Sequence, residues 1–162
     1  MDNSADPLLD LELSVDVPLS PAQLFEGWTD PEILKKWFCP RPWKVVECTI
    51  DLRPGGLFST VMQSPDGQRT PENRGCFLLI ENPTRLVWTS MLGAGFRPNP
   101  VPQLGFSFVC DLRFVPLAQG GSRFQATVMH SDPKGRTRHE AMGFDQGWRL
   151  ALSQLVELHQ AP

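Results

Sequence analysis

The stretch Thr137-Arg138-His139-Glu140-Ala141-Met142-Gly143-Phe144-Asp145-Gln146-Gly147-Trp148-Arg149-Leu150-Ala151-Leu152-Ser153-Gln154-Leu155-Val156-Glu157-Leu158-His159 decides the fold. Thr137 and Glu140 have the spacing of a capping box, in which a hydroxyl and a carboxylate satisfy free N–H groups at a helix start. Phe144, Trp148, Ala151, Leu152, Leu155 and Val156 then recur at helical spacing and form an apolar stripe. One amphipathic helix through about His159 is expected, the longest in the chain. Gly143 and Gly147 lie inside it, where each costs about 1 kcal/mol relative to alanine, so a close approach of backbone to a neighbour is expected there.

Outward from that helix, the chain reads as strands. Leu104 to Val115 and Ser122 to His130 alternate apolar and polar residues around Gln119-Gly120-Gly121, with Phe106, Phe108, Cys110, Leu112 and Phe114 on one face. Further upstream, Gly75 to Ile80 and Arg85 to Leu92 flank Glu81-Asn82-Pro83-Thr84. Lys44 to Leu52 and Leu57 to Met62 flank Pro54-Gly55-Gly56. Gly93 to Pro102 holds too many breakers for an element and reads as a long mobile loop beside whatever the protein binds. At the start, Leu11 to Val17 alternates as a first strand. Ser20-Pro21-Ala22-Gln23 and Asp30-Pro31-Glu32 are cap-plus-proline signals for two short helices.

One strand, two short helices, a run of antiparallel strands and one long terminal helix make an α+β fold: a curved antiparallel sheet wrapped around the C-terminal helix, enclosing an apolar pocket. No repeat or linker divides the 162 residues, so one domain over 1–162 is expected, with 1–10 as an N-terminal extension.

Composition narrows the function classes. Fifteen Lys plus Arg against 18 Asp plus Glu give a net charge of −3, which argues against a basic nucleic-acid surface. No apolar run approaches the roughly 18 residues of a membrane span, and the acidic start Met1-Asp2-Asn3-Ser4-Ala5-Asp6 is unlike a secretory signal. A cytoplasmic protein is expected. Cys39, Cys48, Cys76 and Cys110 are widely separated and read as free buried thiols. Three scattered histidines offer no metal spacing and no glycine-rich loop precedes a helix, so no metal or cofactor is expected.

The chain resembles the bacterial relatives of the activator of Hsp90 ATPase, the AHSA1-like branch of the START/Bet v 1-like (SRPBCC) helix-grip superfamily. The residues that carry the resemblance are the Ser-Pro-x-x-Leu-Phe start from Ser20, Trp28 with Asp30-Pro31, Trp37 before Pro40, and Asp51-Leu52-Arg53-Pro54-Gly55-Gly56. Gly75 with Pro83-Thr84-Arg85-Leu86-Val87-Trp88, and Gly147-Trp148 with Leu152 and Leu155, complete it. The resemblance implies a helix-grip fold whose interior holds a small hydrophobic molecule such as a lipid, sterol or polyketide. A few superfamily members are cyclases or hydrolases. Eukaryotic members that stimulate Hsp90 carry a further N-terminal domain for which this chain has no room, so a chaperone partner is not implied. A homodimer stays open.

Within that frame His130 is in phase with Phe124, Ala126 and Val128 and should point inward from the last strand, where it could bind a ligand or move a proton. The plain alternative is a histidine bonded to backbone or solvent. Neither His139, at a helix start, nor His159, near a helix end, has such a placement, and both read as structural or solvated. His130-Ser131-Asp132 contains triad residue types, but neighbouring strand residues face opposite ways and no nucleophile elbow is present. Arg97, in the breaker-rich loop, could clamp a ligand carboxylate, or simply be an exposed arginine. Asp51 and Arg53 could sit at a pocket mouth or fix their turn. Trp37, Trp88, Phe106, Phe108, Phe144 and Trp148 are candidates for pocket walls or for core. Met62, Met91 and Met142 share that ambiguity, while Met129 should face away.

Overall fold

Alternation along the strands fixes which face of the sheet is buried, and the buried face is the concave one. The computed structural model describes residues 4–100, 102 and 105–160. Its strands and helices, in chain order, are β1 (Asp10–Val17), α1 (Pro21–Thr29), α2 (Pro31–Leu34), β2 (Lys44–Ile50), β3 (Leu57–Gln63), β4 (Asn73–Glu81), β5 (Arg85–Thr89), β6 (Leu92–Gly93), β7 (Arg97–Pro98), β8 (Phe108–Pro116), β9 (Ser122–His130), α3 (Pro133–Ala141) and α4 (Phe144–Gln160). Seven strands form one antiparallel sheet in the order β1-β9-β8-β5-β4-β3-β2.

The register sets a continuous apolar row across four strands: Leu11 faces Val128, Val128 faces Cys110, and Cys110 faces Trp88. All four are buried. The opposite face carries ion pairs instead. Arg85 grips Asp111 through two hydrogen bonds of 3.1 and 3.0 Å, and Arg123 grips Asp16 at 2.8 and 3.2 Å. That division is the pattern of an antiparallel sheet packed on one side and wet on the other.

Since β1 and β2 are opposite edges, the segment between them must cross the concave face. It does so as α1 and α2. Ser20 accepts from the Gln23 amide at 3.1 Å while the Gln23 side chain accepts from the Ser20 N–H at 2.9 Å, the reciprocal capping box read from sequence. Asp30 caps α2 by accepting from the Glu32 amide. Pro31 has no N–H to offer the Gly27 carbonyl four residues earlier, and the Trp37 indole N–H takes its place at 2.9 Å.

Three expectations are corrected. The C-terminal helix is two helices. Asp132-Pro133, not Thr137, opens α3, with Asp132 accepting from the Gly135 amide at 2.7 Å. Gly143 then turns the chain at a positive φ of 89° before α4 begins. Second, neither Gly143 nor Gly147 marks a close approach: a β-carbon at either would meet nothing within 4 Å. The close approach is at Gly27 of α1, where a β-carbon would sit 2.9 Å from the Leu155 Cδ atoms of α4. Third, residues 92–98 are an ordered ribbon. β6 and β7 pair around a single 3-10 turn, and the Gly95 amide donates to the Gly55 carbonyl at 2.8 Å. In the next strand β8 begins at Phe108; the expected start at Leu104 lies outside the described residues.

The candidate site at the junction of the last strand and the two C-terminal helices

The break at Gly143 has a chemical consequence, because it brings the last turn of α3 against the first turn of α4. His139 of α3 thereby meets Phe144 of α4 edge-on, with ring centroids 5.3 Å apart. From the sheet, β9 delivers His130, 6% exposed, and β8 delivers Phe108 beside it. Phe106, just before β8, stacks on His139 at 4.8 Å.

The two imidazoles are hydrogen-bonded. His130 Nδ1 lies 2.9 Å from the Leu9 carbonyl, and His130 Nε2 lies 2.9 Å from His139 Nδ1. A carbonyl can only accept, so His130 Nδ1 carries a proton. In a neutral ring its Nε2 is then a bare acceptor, and His139 Nδ1 must donate to it. This leaves Nε2 of His139 as a lone pair, with no hydrogen-bond partner among the described residues. Burial, reinforced by His130, pushes the His139 pKa down to about 4, so the ring is neutral near pH 7.

Ring contacts run on from this pair in a closed circuit. His139 touches Phe108 at 5.1 Å, Phe108 touches Trp88 at 5.3 Å and Trp88 touches Phe58 at 4.9 Å. Phe58 continues to Phe38 at 5.9 Å and Phe38 to Trp28 at 5.6 Å. The return path runs from Trp28 to Trp148 at 6.1 Å and from Trp148 to Phe144 at 4.9 Å. Trp28, Phe58, Trp88 and Phe144 are buried, whereas Phe38, Phe108, Trp148 and His139 are half-buried. Two indole N–H groups on the circuit, those of Trp28 and Trp88, are buried with no oxygen or nitrogen acceptor among the described residues. The thiol of Cys110 lies beside the Trp88 N–H, and sulfur is a weak acceptor.

Of the candidates from sequence, Trp88, Phe108, Phe144 and Trp148 fall on the circuit, and Phe106 and His130 flank it. Trp37 packs edge-on against Trp28 at 5.1 Å, but its N–H is committed to Gly27. The exposed Arg97 in β7 belongs to none of these contacts. Arg53 pairs with Asp51 at 2.7 Å, both partly exposed, and fixes its own turn. Met91 and Met142 are about half exposed, while Met62 is partly buried against the core. Burial pushes the Cys39 and Cys48 thiols up to about 11, so both are protonated at neutral pH. His159 lies at the surface, 3.4 Å from the Gln23 amide nitrogen.

Sequence reading missed His139 and Gln154. The signal for His139 was Asp132-Pro133, the same cap-plus-proline pair that opens α2 at Asp30-Pro31; used there, it starts the helix five residues earlier and carries residue 139 to its end. Gln154 is 3% exposed. Its amide nitrogen donates to the carbonyls of Trp37 at 3.1 Å and Cys39 at 2.9 Å, and its oxygen accepts from the Arg41 N–H at 2.9 Å. Its signal was a spacing of three from Ala151 on the apolar stripe.

Two surface depressions flank these elements, and the first opens between the edge of the sheet and the start of α4. One of about 470 Å³ sits where β1 meets the α3–α4 junction, between Leu11, Arg136, Glu140 and Phe144. The other, about 570 Å³, lies on the ion-paired face near Asp10, Arg85, Asp111 and Met129. No helix among the described residues is long and apolar enough to cross a membrane.

Comparison with known proteins agrees with this architecture. A crystal structure of a Nitrosomonas europaea protein is 40% identical, with a TM-score of 0.89, covering 96% of this chain and 97% of the other. A Rhodobacter sphaeroides protein shares the fold at 23% identity and a TM-score of 0.83, covering 98% and 97%. The AHSA1 protein of Silicibacter pomeroyi shares it at 22% and 0.65, covering 93% and 97%. No curated protein matches the chain. The family model for activator of Hsp90 ATPase homolog 1-like proteins matches residues 18–160, and the chain belongs to that family.

Proposed function

We propose that the chain binds a small hydrophobic molecule between the concave face of the sheet and α4, with the ring circuit as its wall. The observation that carries this reading is the pair of buried indole N–H groups of Trp28 and Trp88 on that circuit, the first with no acceptor among the described residues and the second with only the weak thiol acceptor of Cys110 beside it. An unpaired buried donor costs about 1–3 kcal/mol, whereas buried polar groups nearby, such as Gln154 and the Trp37 N–H, are fully paired. A mainly apolar ligand with one or two acceptor oxygens would satisfy the donors. Since the rings touch one another, entry requires the half-buried members Phe38, Phe108 and Trp148 to part.

The test is native mass spectrometry of freshly purified protein, followed by denaturing extraction. A stoichiometric hydrophobic adduct is the expected result. A clean mass in repeated preparations, with no binding of added hydrophobic probes, sinks the reading and turns the search to a protein-interaction role. A second reading, an enzyme working in the same place, is favoured by the coupled His130 and His139, which could act as general acid or base. Turnover of an extracted ligand that is lost in His139→Phe while binding persists would establish it.

A further inference from the structure

The hydrogen-bond chain from Leu9 through His130 to His139 has a direction. The Leu9 carbonyl accepts twice from one residue, from the His130 backbone N–H at 3.0 Å and from Nδ1 at 2.9 Å. That double anchor holds the His130 ring at one rotamer and one tautomer. His130 then holds His139 in the same tautomer, because its bare Nε2 can only accept. The outcome is a lone pair on His139 Nε2, set among the rings of Phe106, Phe108 and Phe144. Of the charged groups around α3, Asp132 caps the helix and Arg136 pairs with Glu140 at 3.0 Å. Among the described residues no third metal-binding side chain gathers with the two histidines, so the pair is built as a hydrogen-bond chain.

We propose that His139 Nε2 is the polar anchor of the ligand site and selects hydrophobic molecules that carry a hydroxyl donor, of the phenol or enol class, with His130 as the positioning residue. This rests on the hydrophobic-ligand reading above and names its chemical class. The bond is a neutral one: the ligand O–H donates to the imidazole lone pair, the aromatic body of the ligand replaces ring–ring contacts of the circuit, and no proton need transfer for binding. A ligand with only acceptors gains nothing at this nitrogen, because it meets lone pair with lone pair.

The test compares 2-naphthol with 2-methoxynaphthalene, in which a methyl group replaces the donor hydrogen, and reads the ratio of their affinities in wild type against variant, by titration monitored through tryptophan fluorescence. The wild type should bind the naphthol about fivefold more tightly, the worth of one net neutral hydrogen bond. The His139→Phe variant keeps an aromatic ring and should lose the preference, its naphthol-to-ether affinity ratio falling about fivefold relative to the wild type. Equal binding of the two by the wild type would overturn the proposal and leave the pocket reading standing, whereas failure of both to bind would remove the pocket reading and this inference together. Nitrogen-15 imidazole spectra at neutral pH give a readout independent of any variant: His130 and His139 should both carry the proton on Nδ1. A proton found on Nε2 of His139 would overturn the assignment, since that nitrogen could then only donate. His130→Leu, which removes the acceptor for His139 Nδ1, should abolish the naphthol preference, while His130→Gln, which supplies an amide oxygen, should restore part of it.

Discussion

The two ends of α4 treat buried polar atoms in opposite ways. Toward its C-terminus Gln154 has its amide oxygen and both amide protons paired, and it ties the helix to the chain at Trp37, Cys39 and Arg41. Toward its N-terminus, where Phe144 and Trp148 join the ring circuit, the circuit holds the buried Trp28 N–H, which has no acceptor among the described residues, and the buried Trp88 N–H, which has only a thiol beside it. Both ends are apolar in composition and share one helix, so burial alone does not explain the contrast. A buried group without a partner weakens the fold, and such costs persist where function requires them. On the proposed reading, the difference separates an end that holds the structure together from an end that receives the ligand.

The contrast can be broken by substitution. Gln154→Leu is nearly the same size but strands two carbonyls and one N–H, and it should lower the unfolding free energy by about 3 kcal/mol. Urea denaturation will show this, and a loss below about 1 kcal/mol would mean that the paired end is not the structural one. The unpaired end should instead respond to acid. His139 is held neutral down to about pH 4, whereas in the unfolded chain it binds a proton below about pH 6.5. Its contribution is therefore complete above pH 6.5 and is lost as pH falls toward 4. After discounting for its partial exposure, this amounts to about 1–2 kcal/mol. The pH dependence of the urea midpoint should show that slope in the wild type and a shallower one in His139→Phe.

A finer comparison uses two indoles in mutual contact. Trp37→Phe removes a paired N–H and orphans the Gly27 carbonyl, while Trp28→Phe removes an unpaired one. The same atoms are deleted, yet Trp37→Phe should cost about 1 kcal/mol more; equal costs would show that the Trp28 donor is satisfied in solution. The smallest effect is expected at Gly147. Nothing lies within 4 Å of a β-carbon built there, so Gly147→Ala should raise stability by about 0.5–1 kcal/mol in thermal unfolding, and a loss would point to a neighbour that needs the space.

The strands were legible because a sheet with one wet face imposes a period of two, and Leu11, Val128, Cys110 and Trp88 obey it without exception. The capping signals at Ser20 and Asp30 were legible because they are local. The helix after β9 was misread because two local signals competed. Thr137-Arg138-His139-Glu140 has the spacing of a cap but lies within α3, and Gly143 could be weighed only as a helical residue, not as a positive-φ terminus. That error hid His139, whose role depends on where α3 starts and stops. Arg97 drew notice by its residue type, but exposure is set by how β6 and β7 fold back on Gly55, a long-range contact with no periodic signature. Gln154 shows the same limit: its partners lie 113 to 117 residues away in sequence.

The ring circuit also determines how this protein emits light. The chain has five tryptophans and no tyrosine, so its near-ultraviolet emission is almost purely that of indole. Trp28, Trp88 and Trp148 are on the circuit and Trp37 touches it at 5.1 Å, a separation at which excitation passes readily between indoles. Trp43 alone is substantially exposed, at 42%, and contributes a red-shifted background. A guest that parts the rings alters the coupled emitters together and leaves that background unchanged, so occupancy of the interior can be followed in dilute solution without attaching a dye.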